Sequence, residues 1–532
     1  MALRVLGTSL RPRERRALAT GLASGVLLGL ASLPIPLGPL AFVALVPVLA
    51  GIDRGMRPGC AALAGFVAGC LYFGIGFGFV CFASVGAVTP SLFFLLYVPG
   101  VALLLSGLFA GLAALRSVHR WAFLLAAPGS WVAFEWLRSK GPIGIPWLEL
   151  AYALSDWPVL VQSADWVGFY GVSFWVAALN AGLVAMRGMP LRRAGALAAL
   201  LALPLLRAPL ARAPGASGPT LEVAAIQPAL AESRRHVPDH FDANLRRLLA
   251  LSESALAAHP DLLVWPESAW ERLLSRGDDA FLAAVANHLG VPLLTGAWRR
   301  SRPELPWLRN SAVLAEPGGD VAVVADKVYP VPVYERAPES TLGRLLRRHR
   351  LWSGRFEPGE PSTVAVVRGS DGSEIPVAVL VCVDTSYPSL ARELRSRGAR
   401  LFVEVSNEAG TGRWSAWLHS RVSRLRAVET RTPLVRVANT GPSQWFDDRG
   451  RIVASLPEGK PRSGVHALVA AGPAPPAVVL GDAPALLAVL GSAASTACVS
   501  LRASRRSRRR TRQRLDPFIK GEISCSVHGL ED

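Results

Sequence analysis

The sequence predicts two units of different kind, a polytopic α-helical membrane domain and an α/β domain outside the cytoplasm. Three observations predict this. Charged residues make up only 18% of the 532 residues and hydrophobic ones 51%, with mean hydropathy +0.33, against about 25% charged in ordinary soluble domains. The first 206 residues hold 14 Lys/Arg and 6 Asp/Glu, whereas the remaining 326 hold 76 charges. Beyond residue 219, long apolar runs give way to short β-type runs separated by amphipathic stretches. Disorder is excluded, because it requires low hydrophobicity.

A transmembrane helix needs about 20 mainly apolar residues. Runs near 17–33, 36–52, 60–83, 91–115, 121–137, 166–186 and 194–206 qualify, and an eighth lies at 484–501. Further spans follow the first run, which argues against a cleavable signal peptide. Lys and Arg concentrate in short cytoplasmic loops. They precede the first span (Arg11, Arg13, Arg15, Arg16) and fill the second, fourth and sixth loops (Arg54, Arg57; Arg116, Arg120; Arg187, Arg192, Arg193). The N-terminus is therefore expected inside, and residues 207–480 outside. The last span would return the chain to the cytoplasm, where eight arginines lie between Arg502 and Arg514.

The expected organisation is a basic cytoplasmic N-terminus (1–16), seven helices (17–206), an exported domain (219–472), an eighth span (484–501) and an Arg-rich tail (502–532). Directly after a span, such a tail reads as a topology anchor beside anionic lipid rather than a nucleic-acid site. Glu135 lies inside an apparent span about one turn from Arg138; it reads equally as a functional acid and as half of a structural ion pair.

In the exported part, 221–228, 261–268, 291–298, 377–384, 399–407 and 432–441 read as buried strands. Amphipathic patterns at 239–258, 278–289, 386–397 and 414–430 lie between them. This alternation implies an α/β layered fold. The Gly318-Gly319-Asp320 stretch reads as a hairpin turn.

Of the six cysteines, only Cys382 falls in the exported domain, so it has no disulfide partner there. It is either a buried filler or a nucleophile. Its place at the end of VAVLV, before the polar turn DTSYP, favours the nucleophile, since catalytic groups converge at strand ends in α/β sheets. A thiolate needs a base for its proton and a cation or amide donors for the oxyanion. Glu267 after LLVWP, Lys327 after VAVVAD, and Glu335 eight residues on supply both. Taken singly, each reads as an ordinary surface residue.

WPE at 265–267, DK at 326–327, Glu335 and Cys382 closing a strand resemble the Glu-Lys-Cys triad of the carbon-nitrogen hydrolase (nitrilase) superfamily. With eight spans, the chain is similar to the membrane-bound branch of that superfamily, the apolipoprotein N-acyltransferases. FEWLRSKGPIGIPW (134–147), HSRVSRLRAVETRTPLVRVANTGPSQWFDDRGR (419–451) and GD (481–482) extend the resemblance from about 17 to 505. It implies an αββα sandwich and a ping-pong transfer between two membrane partners. A phospholipid acyl chain would pass through a Cys382 thioester to the α-amine of a diacylglyceryl-modified lipoprotein cysteine. It also implies Glu267 as general base, Lys327 at the oxyanion, and Glu335 orienting the lysine or the second nucleophile. No metal or diffusible cofactor is implied, and nothing demands more than a monomer.

The chain departs from the family pattern in two places. Val383 and Asp384 stand where the family carries an aromatic residue and Glu, and SNEAGTGRW (406–414) lacks the aromatic of the family's SNDAWFG-like stretch. Asp384 is expected to support the triad. Trp265, Val383, Asn407 and Asn439 are candidates for substrate or lipid contact, and Trp265, Trp270, Trp298, Trp307 and Trp352 each read at least equally as core packing or as a lipid contact. The basic stretch LLRRHRLW (345–352) reads equally as a lipid-headgroup contact and a solvated loop. The nine histidines show no metal spacing. Two other readings share the triad: a membrane-tethered amidase, and an inactive scaffold partnering a lipid-modifying enzyme.

Overall fold

The computed structural model describes residues 10–82, 88–141, 144–212, 217–235, 237–302, 306–332, 334–336, 340–349, 354–495, 497–498 and 501–502. The Arg-rich tail beyond Arg502, His236 and Trp352 lie outside these residues.

The N-terminal unit is helical: α1 (Pro12–Ser32), α2 (Val46–Asp53), α3 (Pro58–Gly76), α4 (Val88–Val118), α5 (Arg120–Arg138), α6 (Ala164–Ala185) and α7 (Leu191–Ala202). Small residues let helices approach closely without a hydrophobic drive between them. Gly21, Gly25 and Gly29, four apart on α1, do this against α3, where a Cβ at Gly25 would stand 2.8 Å from the Ala68 carbonyl oxygen. Among the described residues, four helical stretches are long and apolar enough to cross a membrane: Pro58–Gly76, Phe94–Val118, Ala164–Ala185 and Leu191–Arg212.

The expected span at 36–52 is not one helix. It breaks into a 3₁₀ turn at Gly38–Phe42 and the eight-residue α2, which reaches only about 12 Å at 1.5 Å per residue. Pro34, Pro36, Pro39 and Pro47 interrupt the apolar run, each lacking the N–H a helix interior requires. The eighth run is helical over Ala483–Ser495.

Glu135 does not pair with Arg138. Its Oε1 accepts from Trp131 Nε1 at 2.7 Å and from the Leu150 amide at 2.9 Å. Arg138 instead meets Glu149, at 2.6 Å.

The C-terminal unit is an αββα sandwich. One sheet runs β13-β1-β2-β4-β5-β6, with β3 beside β4; the other runs β12-β11-β10-β9-β8-β7. The first contains β1 (Thr220–Gln227), β2 (Leu262–Val264), β3 (Trp270–Leu273), β4 (Leu293–Arg300), β5 (Leu308–Ala315), β6 (Val321–Asp326) and β13 (Arg462–Val469). The second contains β7 (Ala365–Arg368), β8 (Glu374–Val381), β9 (Leu401–Ser406), β10 (Leu434–Ala438), β11 (Gln444–Phe446) and β12 (Ile452–Ser455). The central trios β1-β2-β4 and β8-β9-β10 are parallel.

Val223, Val264 and Leu314 from one sheet meet Val379, Val403 and Val437 from the other in the central core. Helices α8 (Phe241–Ala255) and α9 (Arg276–Leu289) cover the outer face of the first sheet. The outer face of the second is covered by α11 (Pro388–Ser396) and α12 (Gly412–Thr430); between the pairs lies the short α10 (Thr341–Arg348). The expected hairpin is present between β5 and β6, with Gly318 at φ +70°.

The two units are joined by buried polar contacts centred on α12. Arg421 Nε donates to Asp156 at 2.8 Å, and Arg431 donates to Gln162 at 2.8 Å and Asp165 at 3.0 Å. Glu429 accepts from the Phe169 amide at 3.0 Å and from Arg392 at 2.9 Å. Asp482 accepts from Trp136 Nε1 at 3.1 Å and Lys140 at 3.2 Å, and pairs with Arg392. Stretches 419–451 and 481–482, conspicuous in the sequence, thus supply much of this interface.

Candidate active site

Four strand ends of the sandwich converge on one cavity. After β2, Pro266 cannot donate to a ladder, and the chain turns through Ser268 at φ +51°. That turn lies directly on β4, where a Cβ at Gly296 would sit 2.7 Å from Glu267 Cα. Glycine is therefore required there, and Gly296→Ala is expected to displace Glu267 and lower turnover at least about tenfold, since small misplacements of reacting groups are costly. Steady-state rates on the purified variant check this.

Glu267 is 4% exposed and Lys327 is 1% exposed. Lys327 Nζ donates to Glu267 Oε1 at 2.9 Å and to Glu335 at 2.8 Å. Glu267 Oε1 also accepts from Asn310 Nδ2 at 2.7 Å. Glu335 is fixed in turn by the Val331 amide, at 2.8 Å. Burial works against the Lys327 charge, but the facing Cys382, Glu267 and Glu335 outweigh it and hold the ammonium well above its ordinary range. Burial raises the Glu335 carboxyl, against the opposing pull of Lys327.

Cys382 follows β8 in a left-handed conformation, φ +55°, that non-glycine residues seldom adopt. It is 7% exposed and lines the cavity. Such strain is held by surrounding structure and is concentrated at functional sites. Burial, and then the charge of Glu267, pushes the thiol well above its ordinary range, while Lys327 pulls the other way. The thiol is therefore protonated at rest and needs a base at the moment of attack.

Asp384 does not line the cavity but holds the segment that follows Lys327. Its carboxylate accepts from the amides of Val328 at 3.1 Å and Tyr329 at 2.9 Å, the two residues that follow Lys327. Burial pushes its pKa up to about 7. The ionised form accepts both amides, so turnover should rise with pH through about 7. This limb should be absent from the pH–rate profile of Asp384→Asn, which accepts but does not titrate. Stability should move in the opposite sense. A carboxyl whose pKa rises on folding contributes fully below its unfolded value, about 3.9, and loses that contribution as pH climbs to about 7.

Val383 and Asn407 line the cavity. Asn439 does not. It is fully buried, bonds both backbone groups of Leu230, and donates to Asn407 Oδ1 at 2.9 Å, so it positions Asn407. Trp265 is also no lipid contact. It is fully buried beneath α8, its Nε1 donating to Ser252 at 2.9 Å. Trp270 is likewise core, whereas Trp298 lines the cavity. In the basic stretch, Arg347 stacks over Trp307, 4.6 Å from the ring centroid.

The cavity measures about 790 Å³ and is mainly apolar, within the range of small-molecule sites. Its wall comes partly from the helical unit: Phe77, Phe79, Val80, Ile145 and Trp147. Sequence reasoning missed Asn310, Glu408 and His419. Asn310 was visible as an amide in the apolar strand β5. Glu408 was visible too, but only as part of a stretch lacking an aromatic residue.

Residues 24–182 match the apolipoprotein N-acyltransferase N-terminal domain, and residues 222–468 the carbon-nitrogen hydrolase domain. Apolipoprotein N-acyltransferase of Geobacter metallireducens is 32% identical over 475 residues, covering 83% of this chain and 87% of that protein. The protein of the same name from Chlorobaculum tepidum is 28% identical, covering 82% and 87%. That from Bradyrhizobium diazoefficiens is 31% identical, covering 89% and 93%. With both domains present and this extent of similarity, the chain belongs to the apolipoprotein N-acyltransferases, a family of acyltransferase enzymes.

Proposed function

We propose that the chain moves a fatty acyl group from a membrane phospholipid to the α-amine of a diacylglyceryl-cysteine at a lipoprotein N-terminus, through a thioester on Cys382. The observation that carries this reading is the buried Glu267–Lys327–Glu335 cluster meeting Cys382 in a cavity walled partly by the membrane unit.

Glu267 takes the thiol proton as Sγ bonds to the ester carbonyl carbon. Lys327 faces the oxyanion that forms. Collapse breaks the ester C–O bond, and Glu267 returns the proton to the departing lysophospholipid oxygen. The acceptor amine then attacks the thioester carbon and gives a proton to Glu267, and the thiolate leaves and is reprotonated. Glu335, held by Val331, fixes Lys327 between the two carboxylates. Keeping Lys327 charged is what the paired carboxylates accomplish, since burial alone would neutralise it.

The placement of basic clusters supports a catalytic domain on the extracytoplasmic side with both termini inside, so that both lipid substrates reach the cavity from the bilayer. The chain suffices as a monomer in this scheme. Intact mass of the purified protein tests it. A fatty-acyl gain after incubation with phospholipid vesicles, lost on adding a diacylated lipopeptide that gains the same mass, is the expected result. Discharge by water alone would make the protein a hydrolase, and absence of any adduct would overturn the thioester route.

A further inference from the structure

Beside the catalytic cavity lies a second cleft of about 730 Å³, lined by Ser233, Gly412, Arg413, Thr440, Gly441 and Glu458 among others. The two spaces meet at two residues that line both, Glu232 and Glu408. Glu408 is 2% exposed. Its Oε1 accepts from His419 Nδ1 at 3.1 Å and pairs with Arg436. Its Oε2 is buried with no hydrogen-bond partner among the described residues, and the same holds for Glu232 Oε2. Unpaired buried carboxylate oxygens are costly, and each calls for an explanation.

The local charge count sharpens the point. Arg436 is shared by two carboxylates, Glu408 and Glu404, the latter at 3.1 Å. A single guanidinium thus faces two carboxylates beside the cavity. Burial opposes the Glu408 charge, but Arg436 prevails and holds its pKa down to about 2, so the carboxylate is ionised at neutral pH. Two nearby cations face other groups: Arg413 pairs with Glu458 at 2.6 Å, and Arg235 donates through Nη2 to the Ser268 carbonyl at 2.8 Å with its Nε 4.0 Å from Glu271. Gly441 keeps space open at the unpartnered oxygen, because a Cβ there would stand 2.9 Å from Glu408 Oε2. The neck thus offers two carboxylate oxygens that no donor among the described residues satisfies.

The two substrates of the proposed reaction differ in charge. A phospholipid donor brings an anionic phosphate, which two carboxylates repel. The acceptor brings a primary ammonium followed by peptide. Resting on the acyl-transfer reading, we propose that Glu408 and Glu232 receive the α-ammonium of the acceptor at the neck, and that the adjoining cleft takes the polar peptide behind it. Held there, the ammonium lies at the threshold of the thioester. Losing one proton to solvent through the open cleft, it leaves the carboxylates as the neutral amine and attacks the thioester carbon, giving its second proton to Glu267.

The test separates the two half-reactions in full-length protein, using Glu232→Gln and Glu408→Gln. Both variants are expected to acquire the acyl adduct from phospholipid vesicles. Discharge by a diacylated lipopeptide should slow roughly tenfold to a hundredfold, the size of a lost charge-assisted hydrogen bond, with KM for the lipopeptide raised. Discharge by hydroxylamine, a small nucleophile that is neutral near neutral pH, should match the wild type.

Lipopeptide discharge at wild-type rate in both variants would overturn the ammonium site and leave the acyl-transfer reading standing. An equal slowing with hydroxylamine would also overturn it, as damage to the thioester site itself. Absence of an adduct on the wild type would overturn both readings. Glu232 sits on a half-buried 3₁₀ turn, so its variant carries the test even if Glu408→Gln fails to fold.

Discussion

Cys382→Ser is expected to form no acyl adduct that hydroxylamine releases and to lose at least about 10⁴-fold in transfer, the scale on which removal of a covalent nucleophile acts. The serine hydroxyl occupies nearly the same volume, so the cause is chemical. The resting thiol is already held protonated by burial and by Glu267, and a hydroxyl is far harder still to ionise. A carboxylate base sufficient for a thiol is therefore insufficient for an alcohol. Thermal stability should be close to wild type, because the left-handed backbone at φ +55° is retained with a side chain of similar size. Intact mass after exposure to phospholipid, with a melting curve on the same sample, separates loss of chemistry from loss of fold. Wild-type transfer by the serine variant would exclude Cys382 as nucleophile.

The second large effect concerns Lys327. Lys327→Met removes the one cation that Glu267 and Glu335 share, leaving two buried carboxylates without their charge partner. Breaking a buried pair in this way costs about 3–5 kcal/mol. Activity should fall at least about 10²–10³-fold, as when an oxyanion donor is removed. The two losses have different origins and separate in a double variant. Lys327→Met with Glu335→Gln removes one stranded charge and should recover part of the stability but none of the activity. Recovery of both together would show that Lys327 serves the fold rather than the reaction. Melting temperature and single-turnover acylation are the two readouts.

Glu267, Lys327 and Cys382 were legible as candidates because each follows an apolar strand, and the ends of such strands are where a layered α/β fold presents its chemistry. What could not be read was the direction of each neighbouring side chain. Strands β2 and β9 are buried on both faces, so the usual alternation that tells inside from outside is missing. Trp265 therefore reads the same whether it faces a cavity or α8.

Asn439 illustrates a second limit, since its partner Leu230 is 209 residues away in sequence. Arg138 and Glu149 are only 11 residues apart, yet helical spacing points to Glu135 instead, because periodicity stops at the helix end. The span expected at 36–52 failed for a reason the sequence did contain. Hydropathy sums count proline as nearly neutral, whereas the backbone registers every missing donor. The six short or polar-rich elements β3, β7, β11, β12, β13 and α10 carry too little apolar pattern to stand out.

The aromatic residues that the helical unit lends to the cavity wall make the membrane part a structural component of the chamber rather than an anchor for it. Excised at its own boundaries, the hydrolase unit would keep its triad but open on the side that Phe77, Phe79 and Trp147 close. On the proposed route, bulk water would then reach the Cys382 thioester, and an acyl chain meant for an amine would be spent on hydrolysis. Fidelity of transfer over leakage is thus decided at the seam between the two units.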